Sequence, residues 1–421
     1  MFGMLPSALV SYLFNWLSAF SSLNNSGNSQ LETNQLTFQL RHFHAHSGAR
    51  VLFADVSPGI LAKGNTTSEN AFTIKTRRRT THKPRSHTDF PEARRRSMIH
   101  KENVPVPWNV LEVEAPDVEH RDSLLTMAKM TYDAYLEPTD KDWYDLGDKW
   151  TDNHPFGWEP DADGFRGYVF ATEDNSTVVL SIKGTSASFL GGGGPTAKKD
   201  KLNDNLLFSC CCAHIDWTWT EVCDCYRGGW NCDLNCLQDA LIEESLFYPI
   251  GTNLYYNLTY LYPDSNIWIT GHSLGGALAS LLGVTFGAPV VTFESPGEKM
   301  ASERLHLPQP PSTQHITHVY HTADPIAMGT CTGILSSCAI AGYALESRCH
   351  LGESIVYDTI SNLSWASDVR THSIKTVIEK ILSVPWAPAI EQGREVPKPR
   401  REEDCIDCFK WEFQEPTNMT N

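Results

Sequence analysis

The clearest periodic signal lies in the middle of the chain. Asp122 to Tyr135 sets Leu124, Leu125, Ala128 and Met130 to Tyr132 at roughly helical spacing. Gly167 to Ala171 and Thr177 to Ile182 are short apolar runs around a turn at Asp174–Ser176, and they predict a β-hairpin. Residues 266–270 (NIWIT) predict a short buried strand leading into GHSLGGALASLLGVTFG, where a helix starts near Leu274. Residues 290–295 (VVTFES) predict the following parallel strand, and 315–321 (HITHVYH) another that ends just before Asp324. Past His372, the residues Ile374, Val377, Ile378, Ile381 and Leu382 form the apolar stripe of a docked helix. Strand, helix and strand in this order predict a doubly wound α/β sheet.

Elsewhere the pattern fades. Residues 21–119 are polar and basic with no sustained periodicity, and read as a stalk or extension. The division expected is therefore an apolar segment (1–20), an extension (21–119), an α/β domain (120–410) and a short tail (411–421). A Gly- and Cys-rich insertion (186–240) interrupts the domain.

Composition narrows the class. The chain has 421 residues, 41% of them hydrophobic, enough for a sizeable core, so a wholly disordered protein is excluded. Its formal net charge of −16 argues against nucleic acid as a partner, because duplex binding rests on neutralising phosphates. Residues 75–101 depart from that balance with ten Lys or Arg against Asp89 and Glu92. Such a run reads first as a solvated, mobile loop and second as a contact for anionic lipid headgroups.

Seven of twelve cysteines fall between Cys210 and Cys236, with Cys331, Cys338, Cys349, Cys405 and Cys408 making up the rest. An even, clustered count predicts disulfides and an oxidising compartment. Zinc is the competing reading of CDC and CIDC, though matched CxxC knuckles are missing. Sequons at Asn24, Asn65, Asn175, Asn257, Asn362 and Asn418 also point to the secretory lumen. Residues 1–20 carry no charged side chain and lack a good cleavage site, which favours a retained membrane anchor over a cleaved signal peptide.

Gly271-His272-Ser273-Leu274-Gly275 matches the nucleophile elbow G-x-S-x-G of the α/β-hydrolase fold, and it stands between a predicted strand and a predicted helix. A serine hydroxyl is a weak nucleophile without a base, and the base needs an orienting acid. In this fold the order is serine, acid, histidine. Asp324, at a strand's end before Pro325, is the expected acid; Glu294, Glu298, Asp358 and Asp368 compete less well. Of the two later histidines, His350 adjoins Cys349 and reads as part of a pinned loop, so His372 is the expected base. The backbone N–H groups of Leu274 and of Thr185, in SIKGT, are the expected oxyanion donors. The chemistry calls for no metal or organic cofactor. Phe189, Leu190, Trp217 and Trp219 are expected to flank or cover the site as a lid, with a structural insertion as the alternative.

GHSLGGALA with the upstream SIKGTS resembles class 3 lipases of the fungal triacylglycerol lipase type. SCCCAHIDWTWTEVCDCY, HTADPIAMGTCTGILSSCAIAGYALESRCH and THSIKTVIEKIL resemble, more narrowly, the fungal autophagy-related vacuolar lipases. The resemblance spans about residues 120–410. It implies hydrolysis of triacylglycerols and phospholipids, binding of phosphoinositides, and lysis of autophagic bodies and other vesicles inside the vacuole. It also implies a single-pass type II membrane glycoprotein that travels through the ER, Golgi and multivesicular endosomes. Carried over, the triad falls on Ser273, Asp324 and His372. A secreted soluble esterase and a non-catalytic lipid-binding protein on the same fold are the alternatives.

Overall fold

A computed structural model describes residues 35–47, 50–55, 72–136, 140–144, 165–185, 197–215, 221–245 and 247–414. Its first half runs β1 (Gln35–Ser47), β2 (Arg50–Asp55), β3 (Phe72–Pro84), α1 (Asp89–His100), β4 (Trp108–Pro116), α2 (Arg121–Asp133), β5 (Arg166–Thr172) and β6 (Thr177–Ile182). Next come α3 (Ala197–Phe208), β7 (Asn231–Asp233), α4 (Leu234–Glu244), α5 (Phe247–Leu261), β8 (Asn266–His272) and α6 (Leu274–Phe286). The remaining strands are β9 (Val290–Phe293), β10 (Ile316–His321), β11 (Glu353–Tyr357) and β12 (Glu412–Gln414).

Among the described residues ten strands form one mixed sheet in the order β11-β10-β9-β8-β6-β5-β1-β3-β4, with β2 on β1. Strands β6, β8, β9, β10 and β11 are parallel, and the β5 side is antiparallel. Parallel strands covered on both faces must be apolar throughout. Accordingly β6, β9 and β10 are buried at every position. Leu180, Ile182 and Ile269 face α5 and α6 through Leu254, Leu258, Leu278 and Leu281. Val179, Trp268 and Phe293 face the opposite way, against Leu124 and Met127 of α2 and the stripe from Ile374 to Leu382. That stripe is a short α-turn (Ile374–Thr376) continued by a wider π-turn (Val377–Ile381), and its five apolar side chains are buried.

Within the expected extension, the described residues include four strands of this sheet, β1 to β4. Here the structure corrects the sequence reading, including the mobile loop assigned to the basic run. Strand β3 and helix α1 carry that run, and several of its charges are met by acids, two of them far off in sequence. Arg77 pairs with Glu119, Arg79 with Glu353, and Arg96 with Glu102. The β3–β4 ribbon reaches the start of β8 through Trp268 Nε1–H donating to the Glu114 carbonyl at 2.8 Å, and reaches Gly287 through the Thr81 hydroxyl at 2.6 Å. Both contacts, like Glu353, lie towards the amino ends of the parallel strands. The ribbon therefore occupies the sheet edge opposite Ser273. Strand β11, absent from the sequence reading, pairs parallel with β10 and carries Asp358 just beyond its end.

All twelve cysteines are paired, as Cys210–Cys408, Cys211–Cys232, Cys212–Cys223, Cys225–Cys236, Cys331–Cys338 and Cys349–Cys405. The thiolates a zinc site needs are thus consumed. Cys405 and Cys408 tie the end of the chain back to the body instead of joining each other. Among the described residues no helix is long and apolar enough to cross a membrane. The expected anchor (1–20), Asn24, Asn65 and Asn418, and the lid residues Phe189, Leu190, Trp217 and Trp219 lie outside the described residues.

Candidate active site

Strand β8 delivers Ser273 to the first turn of α6 with φ +56° and ψ −131°, a backbone state that side chains rarely adopt. A Cβ at Gly271 would run into the backbone of Gly275 and Gly276, and one at Gly275 into the carbonyls of Ile182 and Lys183. Only glycine permits so close an approach of β8, α6 and β6. The serine carbonyl accepts from the N–H groups of Gly276 and Ala277 at 2.9 and 3.1 Å, which starts the helix. The N–H of Leu274 belongs to the first turn, where a helix offers donors without intrahelical acceptors.

Three elements then converge on the hydroxyl. The Ser273 Oγ–H lies 2.8 Å from His372 Nε2, and His372 Nδ1–H donates to Asp324 Oδ2 at 2.7 Å. Asp324 follows β10 and its other oxygen accepts from the Ile326 N–H at 2.9 Å. His372 ends a 3-10 turn, Val369–His372, which the Thr371 hydroxyl binds to the Ala323 carbonyl at 3.0 Å. Burial alone would raise the Asp324 carboxyl. The charge and hydrogen bond of His372, with a hydrogen bond from Glu294, instead hold it at about 2.

The competing groups are engaged elsewhere. Asp358 and Asp368 cap local turns by accepting from Ser361 and Arg370 N–H. Glu298 faces His318 at 3.1 Å. His350 binds Glu402 at 2.7 Å through Nδ1 and donates from Nε2 to the Ser295 carbonyl at 2.9 Å.

On the other side of the serine, Gly184 packs so closely on the His272 carbonyl and Tyr135 Oη that a Cβ would not fit. Its N–H donates to Tyr135 Oη at 3.0 Å. Tyr135 Oη–H donates to His272 Nδ1 at 2.6 Å, and His272 Nε2–H donates to the His372 carbonyl at 2.7 Å. The tautomer follows from the chain of partners, since a carbonyl only accepts. Burial drives His272 down to about 3, so the ring is neutral and the relay is unambiguous. One uncharged chain therefore links the Gly184 loop to the backbone of His372. The Thr185 hydroxyl bonds Asp204 Oδ2 at 2.6 Å, and burial holds that carboxyl well above its ordinary range.

Tyr135, Asp204 and the part played by Glu294 are not evident from sequence. Tyr135 stands just past the end of α2, and Asp204 is a polar residue in a weakly patterned helix; neither position carries a local signal. Glu294, weighed only as a rival acid, is fully buried at φ +44° immediately after β9.

A strand–elbow–helix crossing with a serine, histidine and carboxylate in line defines a serine-hydrolase type of site on a mixed α/β sheet. The family model for lipase (class 3) matches residues 245–330, which include the elbow and Asp324. The "Putative lipase ATG15" of Cryptococcus neoformans var. neoformans serotype D is 51% identical over 366 residues, covering 73% of this chain and 70% of its own. The protein of the same name from Mycosarcoma maydis is 46% identical over 364 residues, covering 74% and 69%. The chain belongs to this ATG15 family of class 3 lipases. Among solved structures, a triacylglycerol lipase from Penicillium expansum aligns over 58% of this chain and 81% of that one, at 15% identity and a TM-score of 0.27. That likeness is too slight to support any argument.

Proposed function

We propose that Ser273, His372 and Asp324 are the nucleophile, general base and orienting acid of a lipase with the α/β-hydrolase fold. The reading is carried by the unbroken hydrogen-bond line from the serine hydroxyl through both imidazole nitrogens to a buried carboxylate. Ser273 Oγ attacks the acyl carbonyl carbon while its proton passes to His372 Nε2. Asp324 stabilises the imidazolium without taking the proton. The N–H groups of Leu274 and Thr185 hold the oxyanion, each such donor contributing about 3–4 kcal/mol to the transition state. His372 then protonates the leaving alcohol, and a water molecule releases the fatty acid by the same steps in reverse.

Membership of the ATG15 family supports triacylglycerols and membrane phospholipids as substrates, and action in autophagy on vesicles inside the vacuole. Six disulfides suit such a lumen. Residues 1–20 serve as a type II signal anchor along the route through ER, Golgi and multivesicular endosome. Asn175, Asn257 and Asn362 are exposed and open to glycosylation.

A serine-reactive fluorophosphonate probe should label the oxidised wild-type protein and spare Ser273→Ala. Fatty acid should be released from phosphatidylserine-containing vesicles and from triacylglycerol emulsion by the wild type only. A labelled Ser273→Ala, or a wild type that takes no label, refutes the assignment and favours a non-catalytic lipid-binding role.

A further inference from the structure

Beyond Asp324 the chain makes a tight excursion that the chemistry above does not use. Thr330 and Cys331 N–H groups both return to the Pro325 carbonyl, at 2.8 and 2.9 Å, so the excursion begins on the same turn that holds the carboxylate. Cys331 and Cys338 close it with a disulfide. Both cysteines are buried, whereas the side chains between and just after them point outward: Ile334 is 54% exposed, Leu335 87% and Ile340 78%. Single exposed aliphatics are commonplace on protein surfaces, but three on one small loop mark an interaction surface.

The loop is held in place rather than free. The Ser336 hydroxyl caps the turn Ser337–Ile340 by accepting from the Ala339 N–H at 3.1 Å. Lys201 Nζ donates to the Ala341 carbonyl at 2.8 Å, and Asn205 Nδ2 to the Gly342 carbonyl at 3.1 Å. Both donors belong to α3, the helix whose Asp204 binds Thr185. Lys198 stands one turn before Lys201 on α3, where residues three apart share a face, and its side chain is exposed. Three exposed aliphatic side chains thus stand on a pinned loop that starts from the Asp324 turn and rests on α3, the helix that carries exposed Lys198 and, through Asp204, holds Thr185.

We propose that the Cys331–Cys338 loop is a membrane-docking wedge: Ile334, Leu335 and Ile340 enter a lipid surface while Lys198 meets its phosphates, setting Ser273 over the bilayer. The choice of lipid over a protein partner rests on composition. Protein interfaces anchor on Trp, Tyr and Arg, and leucine is under-represented among their hot spots. Aliphatics beside lysine suit acyl chains beneath anionic headgroups. Pinning by a disulfide and by α3 also removes the ordering cost of docking. The proposal rests on the lipase reading for its purpose, but its test does not depend on catalysis.

In a Ser273→Ala background, full-length protein should co-sediment with phosphatidylcholine vesicles containing phosphatidylserine. Adding Ile334→Ser, Leu335→Ser and Ile340→Ser should weaken that binding by about tenfold or more. With Ser273 present, the same triple variant should lose vesicle hydrolysis to a similar degree, yet keep fluorophosphonate labelling and cleavage of a soluble short-chain ester. Lys198→Gln should reduce the preference for phosphatidylserine. Leu335→Trp keeps the test open should the triple variant misfold: over the twelve native tryptophans, brominated acyl chains should quench the variant more than the wild type, and the variant-minus-wild-type emission should shift to the blue on vesicles. Unchanged vesicle binding, quenching of Leu335→Trp by brominated acyl chains no greater than that of the wild type, or a change in oligomeric state in place of a change in vesicle affinity would each overturn the wedge. Loss of labelling in the wild type while vesicle binding persists would instead count against the lipase reading alone.

Discussion

Glu294 and Asp324 face each other through their carboxyl groups with no solvent access to either. Burial and repulsion by Asp324 push the Glu294 carboxyl well above its ordinary range, so Glu294 carries the proton and donates it as a hydrogen bond. Asp324 is thereby kept as the anion that His372 needs, by a neutral neighbour and without a second charge in the core.

Replacing that donor should move the acid limb of the activity profile. Glu294→Gln retains an N–H donor and should keep kcat/KM for a soluble ester within a few-fold. Glu294→Leu removes the donor, so the Asp324 carboxyl rises from about 2 towards its ordinary 3.8. Activity should then be lost at a higher pH on the acid side than in wild type, with kcat reduced by about tenfold or more. An acid limb that stays in place would show that Glu294 serves packing alone.

Tyr135→Phe tests the relay behind the serine. Its hydroxyl is both the acceptor for Gly184 N–H and the donor to His272. Phenylalanine fills the same space but strands both partners, at about 1–3 kcal/mol for each buried polar group left unpaired. Thermal stability should fall, and kcat should fall more than KM rises, because the Gly184–Thr185 loop and the His372 backbone both lose their brace. Equal kcat with lower stability would confine Tyr135 to a structural part.

The pair of buried His350 and half-buried Glu402 predicts where stability peaks. Burial would lower His350, but the hydrogen bond and charge of Glu402 raise it to about 9; burial would raise Glu402, but His350 lowers it to about 2. A raised histidine contributes fully below its ordinary 6.5, and that contribution is lost as pH climbs through about 9. A depressed carboxylate contributes above its ordinary 4.5, and is lost as pH falls through about 2. Both are intact between 4.5 and 6.5. Urea unfolding should therefore show a stability decline from pH 6.5 to 9 that Glu402→Gln flattens.

Cys210–Cys408 closes a separation of 198 residues and brings the C-terminal segment back to the molecule. Nearby, Asp407 Oδ1 accepts from Arg348 N–H at 2.7 Å and Cys349 N–H at 3.1 Å, so this segment also supports the His350 loop. The double change Cys210→Ala and Cys408→Ala should cost about 2–5 kcal/mol, read as a lower Tm in oxidising buffer. A Tm within error of wild type would mean that the remaining contacts hold the segment unaided.

The parts of this molecule that could be read in advance are those whose cause is local. The elbow is one: Gly271 and Gly275 surround Ser273 because strand, turn and helix adjoin in both chain and space. The β5–β6 hairpin and the buried face of α2 are others, since period and turn residues lie within a few positions of each other. The β3–β4 ribbon was opaque for the opposite reason. Arg77 and Arg79 look like solvated charge until Glu119 and Glu353 come alongside.

Residue order by itself determined the α/β alternation, the serine on its strained turn, the cysteine-rich character of the chain and a short set of acids and histidines for the site. Only the tertiary structure decided which cysteines pair, that β1 to β4 extend the main sheet, that Glu294 holds a proton for Asp324, and that Tyr135 braces both sides of Ser273. Backbone conformation and hydrophobic period are set within a turn or a strand. Protonation, ion pairing and tautomer depend on which remote groups share the same dry space, and that is settled when the chain closes.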